Sequence, residues 1–181
     1  LKAGMDFRLP QYRREVFLRF YEFHLRYKSH PGAVYYVMPY MASKFNWTTE
    51  QKLWYAFING ATQNPLTSWV VFSNFPELEK ISIEKMERWH RDNWRDLQYD
   101  TDRRYQKGHL VTMTQDYLRR LEGRTQEEFF GGLCKGTPRE NFMPVWHATK
   151  AFHMYGRLST FSYTEYLKIM GLPIECDRLF M

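Results

Sequence analysis

Cysteine is scarce in this 181-residue chain: there are two, Cys134 and Cys176, far apart and without motif spacing. A disulfide scaffold or a cysteine-based zinc site is thereby excluded as the organising principle, and a reducing cytoplasm is the expected compartment. No apolar run approaches the roughly 18 residues a bilayer-spanning helix needs, and no basic-then-apolar stretch heads the chain as a secretory leader would. Long apolar–polar alternation is missing, and no Asn-Gly pair is flanked by strand-like runs, so strands are not expected. The phosphate-binding loop, the dinucleotide-binding glycine pattern and the nucleophile elbow are also absent. There is no His-Glu-x-x-His and no cysteine quartet. Gly131-Gly132 is too short to cradle a phosphate alone. Any chemistry must come from clusters of residues, not from a catalogued motif.

What is present is charge and aromatic surface. Twenty-six basic residues face 20 acidic ones, a formal net charge of +6, and aromatics make up 18% of the chain. Basic charge attracts polyanions and flat rings stack on bases, which sets a nucleic-acid partner level with the alternative of a basic chain whose rings fill a core. The 44% hydrophobic and 25% charged content is globular, which excludes extensive disorder.

The periodicity predicts an all-α fold, a single compact domain of about seven to nine short helices. Leu1 to Met5 read as a remnant outside that domain, and residues 6–181 as the domain, truncated at its C-terminus because Leu179-Phe180-Met181 ends without a polar tail. Residues 11–28 place Phe17, Phe20, Tyr21, His24 and Leu25 on one helical stripe, which assigns His24 to the core. Pro39 allows at most a broken helix over 33–45. Thr48-x-x-Gln51 and Thr125-x-x-Glu128 are capping boxes. Gly60 is expected to close the helix behind Thr48. Asn64-Pro65 reads as an N-cap with a first-turn proline. Ser82 and Thr137-Pro138 start further helices, and Ser159 or Thr160 caps the last one.

Four clusters carry possible chemistry. Arg26, Lys28 and His30 lie where a helix becomes a loop and suit phosphate, or a solvated face. Asn59 to Pro65 is a polar loop between two apolar helices. Its Asn59, Gln63 and Asn64 can read a base edge, or simply cap and turn. From Arg88 to Lys107, six basic residues, Arg103 and Arg104 among them, alternate with four aspartates and several rings. That pattern suits a nucleic-acid backbone. Asp100 and Asp102 suit a metal or a proton-transfer role, and the alternative is an exposed helix end with local ion pairs. His147 and Lys150 share a helical stripe, and Lys150 with Arg157 and a helix start at Ser159 suits an anion.

Three segments together resemble the phage amino acid:DNA transferases of the α-glutamyl/putrescinyl-thymine type. They are Tyr-Lys-Ser-His-Pro-Gly at 27–32, Asn-Gly-Ala-Thr-Gln-Asn-Pro at 59–65, and Tyr-Gly-Arg-Leu-Ser with Glu-Tyr-Leu at 155–167. The resemblance implies modified double-stranded DNA as substrate, carrying pyrophosphorylated 5-hydroxymethyluracil. An amine from an amino acid or polyamine displaces pyrophosphate at the exocyclic methylene. A base is then needed, with Asp102, His30 or His147 as candidates. Arg26, Lys28, Arg103, Arg104, Lys150, Arg157 or a magnesium ion can stabilise the leaving group. A base taken out of the stack needs an aromatic pocket, for which Trp69, Tyr36 and Tyr155 are candidates. No membrane partner is expected, and the host cytoplasm is the expected location. The chief alternative is a non-enzymatic, basic, aromatic-rich nucleic-acid-binding protein. Others are a helical glycosylase-like enzyme, for which Leu133 to Gly136 makes a poor hairpin, and a phage assembly protein.

Overall fold

The computed structural model describes residues 9–27 and 34–176. Among the described residues there are nine α-helices, two 3-10 helices and no strand. The α-helices are α1 (Pro10–Tyr27), α2 (Val34–Lys44), α3 (Thr49–Thr62), α4 (Pro65–Asn74), α5 (Ile83–Asn93), α6 (Leu110–Leu121), α7 (Gln126–Leu133), α8 (Pro138–Lys150) and α9 (Arg157–Ile169). The 3-10 helices span Leu78–Lys80 and Thr101–His109. The all-α expectation holds. None of these helices is long and apolar enough to cross a membrane.

The ends form as the local sequence dictates. Thr48, Thr125 and Thr137 each complete a reciprocal capping box, with Gln51, Glu128 and Glu140. Asn64 Oδ1 accepts the Thr67 N–H at 3.0 Å, with Pro65 in the first turn of α4.

α3 is the central element. Every residue from Leu53 to Thr62 is buried, and α4, α7, α9 and the 101–109 helix pack around it. Phe57 sits at the aromatic hub, stacked on Tyr117 at 4.3 Å between ring centroids and on Tyr155 at 5.5 Å. Such contacts add to the burial of the rings themselves.

Four expectations are corrected. Gly60 does not end α3. It lies inside the helix, where an added Cβ would stand 2.8 Å from the Tyr155 hydroxyl and 3.2 Å from Tyr163 Cβ, so glycine is there for packing. α2 runs unbroken through Pro39, because its packing on α9 and α4 offsets the one backbone bond the proline removes. The α1 stripe does not enter the core: Phe17, Phe20, Tyr21 and Leu25 are exposed. The assignment of the His24 side chain lies outside what is described. Finally, Gly156, not Ser159 or Thr160, stands at the N-cap of α9.

Asp116 ties α6 to the loop after α8. It pairs with Arg119 and with Arg120 (2.8 Å), and accepts the His153 N–H at 2.7 Å. Burial raises its pKa, but the two arginines and the His153 N–H outweigh that and hold it below the usual carboxylate value. A depressed folded-state pKa gives stability that is complete above the unfolded value near 4 and is lost as pH falls through the folded one. Melting of the wild type is therefore expected to drop more steeply below about pH 4 than melting of Asp116→Asn. Parallel acid unfolding curves for the two proteins would refute this.

Candidate functional site

The last carbonyls of a helix need partners from outside it, and at the end of α3 the chain supplies them from sequence-distant residues. Gln63 adopts the left-handed conformation (φ 49°, ψ 24°), and its N–H closes on Asn59 O. A non-glycine residue in this region is uncommon. The Thr62 carbonyl accepts the Asp100 N–H at 3.0 Å. The Gly60 carbonyl accepts from Arg103 Nε at 3.1 Å. The negative end of the α3 dipole thus meets a guanidinium. A second tie runs through Thr67, whose hydroxyl donates to the Gln98 carbonyl at 2.6 Å and fixes the approach to the 101–109 helix.

Arg103 is 1% exposed, while its partner Asp102 is 42% exposed. A buried cation is tolerated only when its donors are matched, and here each is. Nη1 donates to Asp102 Oδ2 at 3.0 Å, Nη2 to the Ser162 hydroxyl at 3.3 Å, and Nε to Gly60. The Gln63 amide completes the group when its nitrogen faces Asp102. It then donates to both carboxylate oxygens at 2.7 and 3.1 Å, while its oxygen accepts from Arg103 Nη2 and Ser162. Tyr166 of α9 borders this network. Burial pushes its phenol up to about 12, an effect that Gln63 and Arg103 partly offset.

The 101–109 helix sorts its side chains by threes, as 3-10 geometry requires, and is long for that type. Arg103 and Gln106 point inward and are buried. Asp102 and Tyr105 lie toward α9, where the Tyr105 hydroxyl bonds Ser159 at 3.2 Å. Arg104 and Lys107 form the outer row. Lys107 Nζ donates to the Arg95 carbonyl at 2.8 Å. Both Lys107 and Arg95 stand 5.7 Å from the centroid of the exposed Trp94 ring.

The family model described as amino acid:DNA transferase matches residues 30–181, which include every part of this network. The chain belongs to the amino acid:DNA transferase family. A protein of Salmonella phage ViI named serinyltransferase is 30% identical over 125 residues, which cover 67% of this chain and 30% of that protein. The chain thus spans about a third of that relative's length. No solved structure matches the chain significantly.

In this amino acid:DNA transferase domain the structure brings together three residues singled out in the sequence, Gln63, Asp102 and Arg103, from two separate segments. It adds Ser162 and Tyr166 of α9, which helical periodicity alone does not single out. Arg103 is turned inward with its guanidinium taken up by protein groups, which corrects its expected place on phosphate. Arg104, beside it, faces solvent. Asn59 is fully buried and accepts from the Ser68 hydroxyl at 3.0 Å, out of reach of a base edge. Tyr155 is also in the core, its hydroxyl donating to the Phe57 carbonyl at 2.9 Å, so it cannot line an open pocket. Asn64 spends its side-chain oxygen on the α4 cap. Trp69 is half-buried in a stack with Phe45 and Trp47, and Tyr36 is exposed. His147, Lys150, Arg26 and Arg157 are exposed. Lys28 and His30 lie outside the described residues. Among the described residues no group of three or more His, Cys, Asp or Glu is placed to hold a metal ion.

Proposed function

We propose that this domain transfers an amino acid onto DNA at a pyrophosphorylated 5-hydroxymethyluracil. The neutral amine of the donor attacks the exocyclic methylene. A C–N bond forms as the C–O bond to pyrophosphate breaks, the pyrophosphate leaves with the electron pair, and the amine gives up one proton. Asp102 receives that proton: it is the half-exposed carboxylate of the network, reachable by substrate yet held by two other side chains. Arg103 is a positioning residue, fixing Asp102 from the protein side. Gln63 and Ser162 complete the frame. Arg104 and Lys107 on the outer row suit the DNA phosphates, and a magnesium ion carried on the pyrophosphate would add to the stabilisation of the leaving group. The modified base must leave the stack to be reached.

The observation that carries this reading is the family match together with an aspartate held between Gln63 and a buried arginine inside the matched region. The test is mass spectrometry of nucleosides after incubating the protein with DNA carrying pyrophosphorylated 5-hydroxymethyluracil, magnesium, and a pool of amino acids and polyamines. Serine is the first donor to try, because the similar phage protein is named a serinyltransferase. The expected result is a new thymine derivative whose mass names an amino acid. Bound but unchanged DNA would instead mark a nucleic-acid-binding protein.

A further inference from the structure

On α9, which also carries Ser162 of the network, a cavity of about 240 Å³ opens between that helix, α8, the N-terminal end of α2 and the segment after α9. Its walls include Tyr35, Phe142, Ile169 and Ile174, and two charged residues one helical turn apart, Glu165 and Lys168. The Tyr35 hydroxyl donates to Glu165 Oε2 at 2.5 Å and fixes the carboxylate. Burial, with Glu165 adding to it, pushes the Tyr35 phenol up, so it stays a donor. Glu165 Oε1 has no hydrogen bond among the described residues. Lys168 pairs with Glu175 at 3.4 Å, both about half exposed, and Glu175 is not among the cavity walls. Exposed pairs of this kind are weak and open to competition.

We infer that this cavity is the donor subsite and that it takes the zwitterion of a small α-amino acid, ammonium on Glu165 and carboxylate on Lys168; Glu165 takes the first ammonium proton, which frees the lone pair for attack, and Asp102 takes the second as the C–N bond forms. Residues at i and i+3 stand about 5–6 Å apart at their Cβ atoms, a spacing that brackets the two charged groups on one α-carbon. The volume lies below the roughly 300–1,000 Å³ of drug-sized pockets, which favours a small side chain. A diamine is disfavoured, because its second ammonium would meet Lys168. The location also serves the chemistry. Glu165 adjoins Tyr166 in sequence, Ser162 of the Asp102 network lies one turn earlier on the same helix, and the ring of Tyr35, a cavity wall, stands 6.0 Å from the ring of Tyr166, which borders the network.

This inference rests on the transferase reading, and the test separates the two. Binding of serine and of putrescine is measured by calorimetry on the wild type, Glu165→Gln, Lys168→Met and Lys168→Glu, without DNA. Steady-state transfer is then measured with serine as donor. Both Glu165 and Lys168 reach solvent, so melting temperatures serve as the folding control. Serine should bind the wild type and putrescine should not. Glu165→Gln and Lys168→Met should each weaken serine by about 10-fold or more, the loss expected for one charge-assisted contact. In transfer the change should appear in the serine KM, with the DNA KM unchanged. Lys168→Glu should lose serine and gain putrescine. The subsite is overturned if serine does not bind, if the variants bind it as the wild type does, or if putrescine binds the wild type equally well. Serine binding that the variants lose, with no nucleoside product from any donor, would uphold the subsite and overturn the transferase reading.

Discussion

Asp102→Asn is expected to slow amino-acid transfer by about 10²–10⁴-fold, the range over which a positioned proton acceptor contributes. The substitution keeps an acceptor oxygen for Arg103 Nη1 and the size of the side chain, so the protein should fold and the frame around Arg103 should persist. What is removed is the basic oxygen that the attacking amine needs. Single-turnover transfer, measured with saturating DNA and donor, isolates the chemical step from binding. Transfer at the wild-type rate would remove Asp102 from the reaction and redirect attention to the histidines. Gln63→Ala is the companion variant. It leaves the carboxylate in place but frees it to rotate, so it should give a smaller loss than Asp102→Asn.

The second large effect is on stability. Arg103→Met should cost about 3 kcal/mol, because the Gly60 carbonyl and the Ser162 hydroxyl lose a buried donor together. For a chain of this length that corresponds to a fall in melting temperature of roughly 6–12 °C. Asp102 is not the main source of the loss, since its half-exposed carboxylate can return to water. Arg103→Lys separates charge from shape. A lysine keeps the cation but has no planar fork to serve three separate acceptors, so it should recover less than half of the loss. A melting temperature for Arg103→Met within about 2 °C of the wild type would show that the buried guanidinium does not hold the 101–109 helix to α3.

Which features were readable in the sequence follows from the range of the interactions that decide them. The capping boxes at Thr48 and Thr125 and the Asn64-Pro65 start are settled within four residues, and they formed as read. Gly60 was misread as a helix end because its reason lies across the core, in the approach of Tyr155 and Tyr163. The exposed face of α1 has the same spacing as a buried one, and periodicity alone does not say whether a partner is present. The site was half legible. Residues 59–65 stood out as a polar loop between two apolar helices, and 88–107 as a run of basic residues, aspartates and rings. That they meet is fixed by the Thr62 carbonyl and Asp100 N–H, which no local pattern announces. The three-residue spacing of Arg103 with Gln106, and of Arg104 with Lys107, was the available sign of a 3-10 helix with an inner and an outer row. Ser162 and Tyr166 gave no sign, because a polar face turned toward another helix reads like any other helical face.

The distances along the chain that the Arg103 network spans set the order in which the domain can acquire it. Arg103 reaches Gly60 across 43 positions and Ser162 across 59, and Gln63 reaches Ser162 across 99. Closing loops of that size costs chain entropy that local helix formation does not repay. Individual helices can form from nearest neighbours, but this arrangement of side chains exists only once α9 has docked on α3. Undocking of α9 by itself would scatter the acid, its arginine and the cavity beside them while most of the helical content remained.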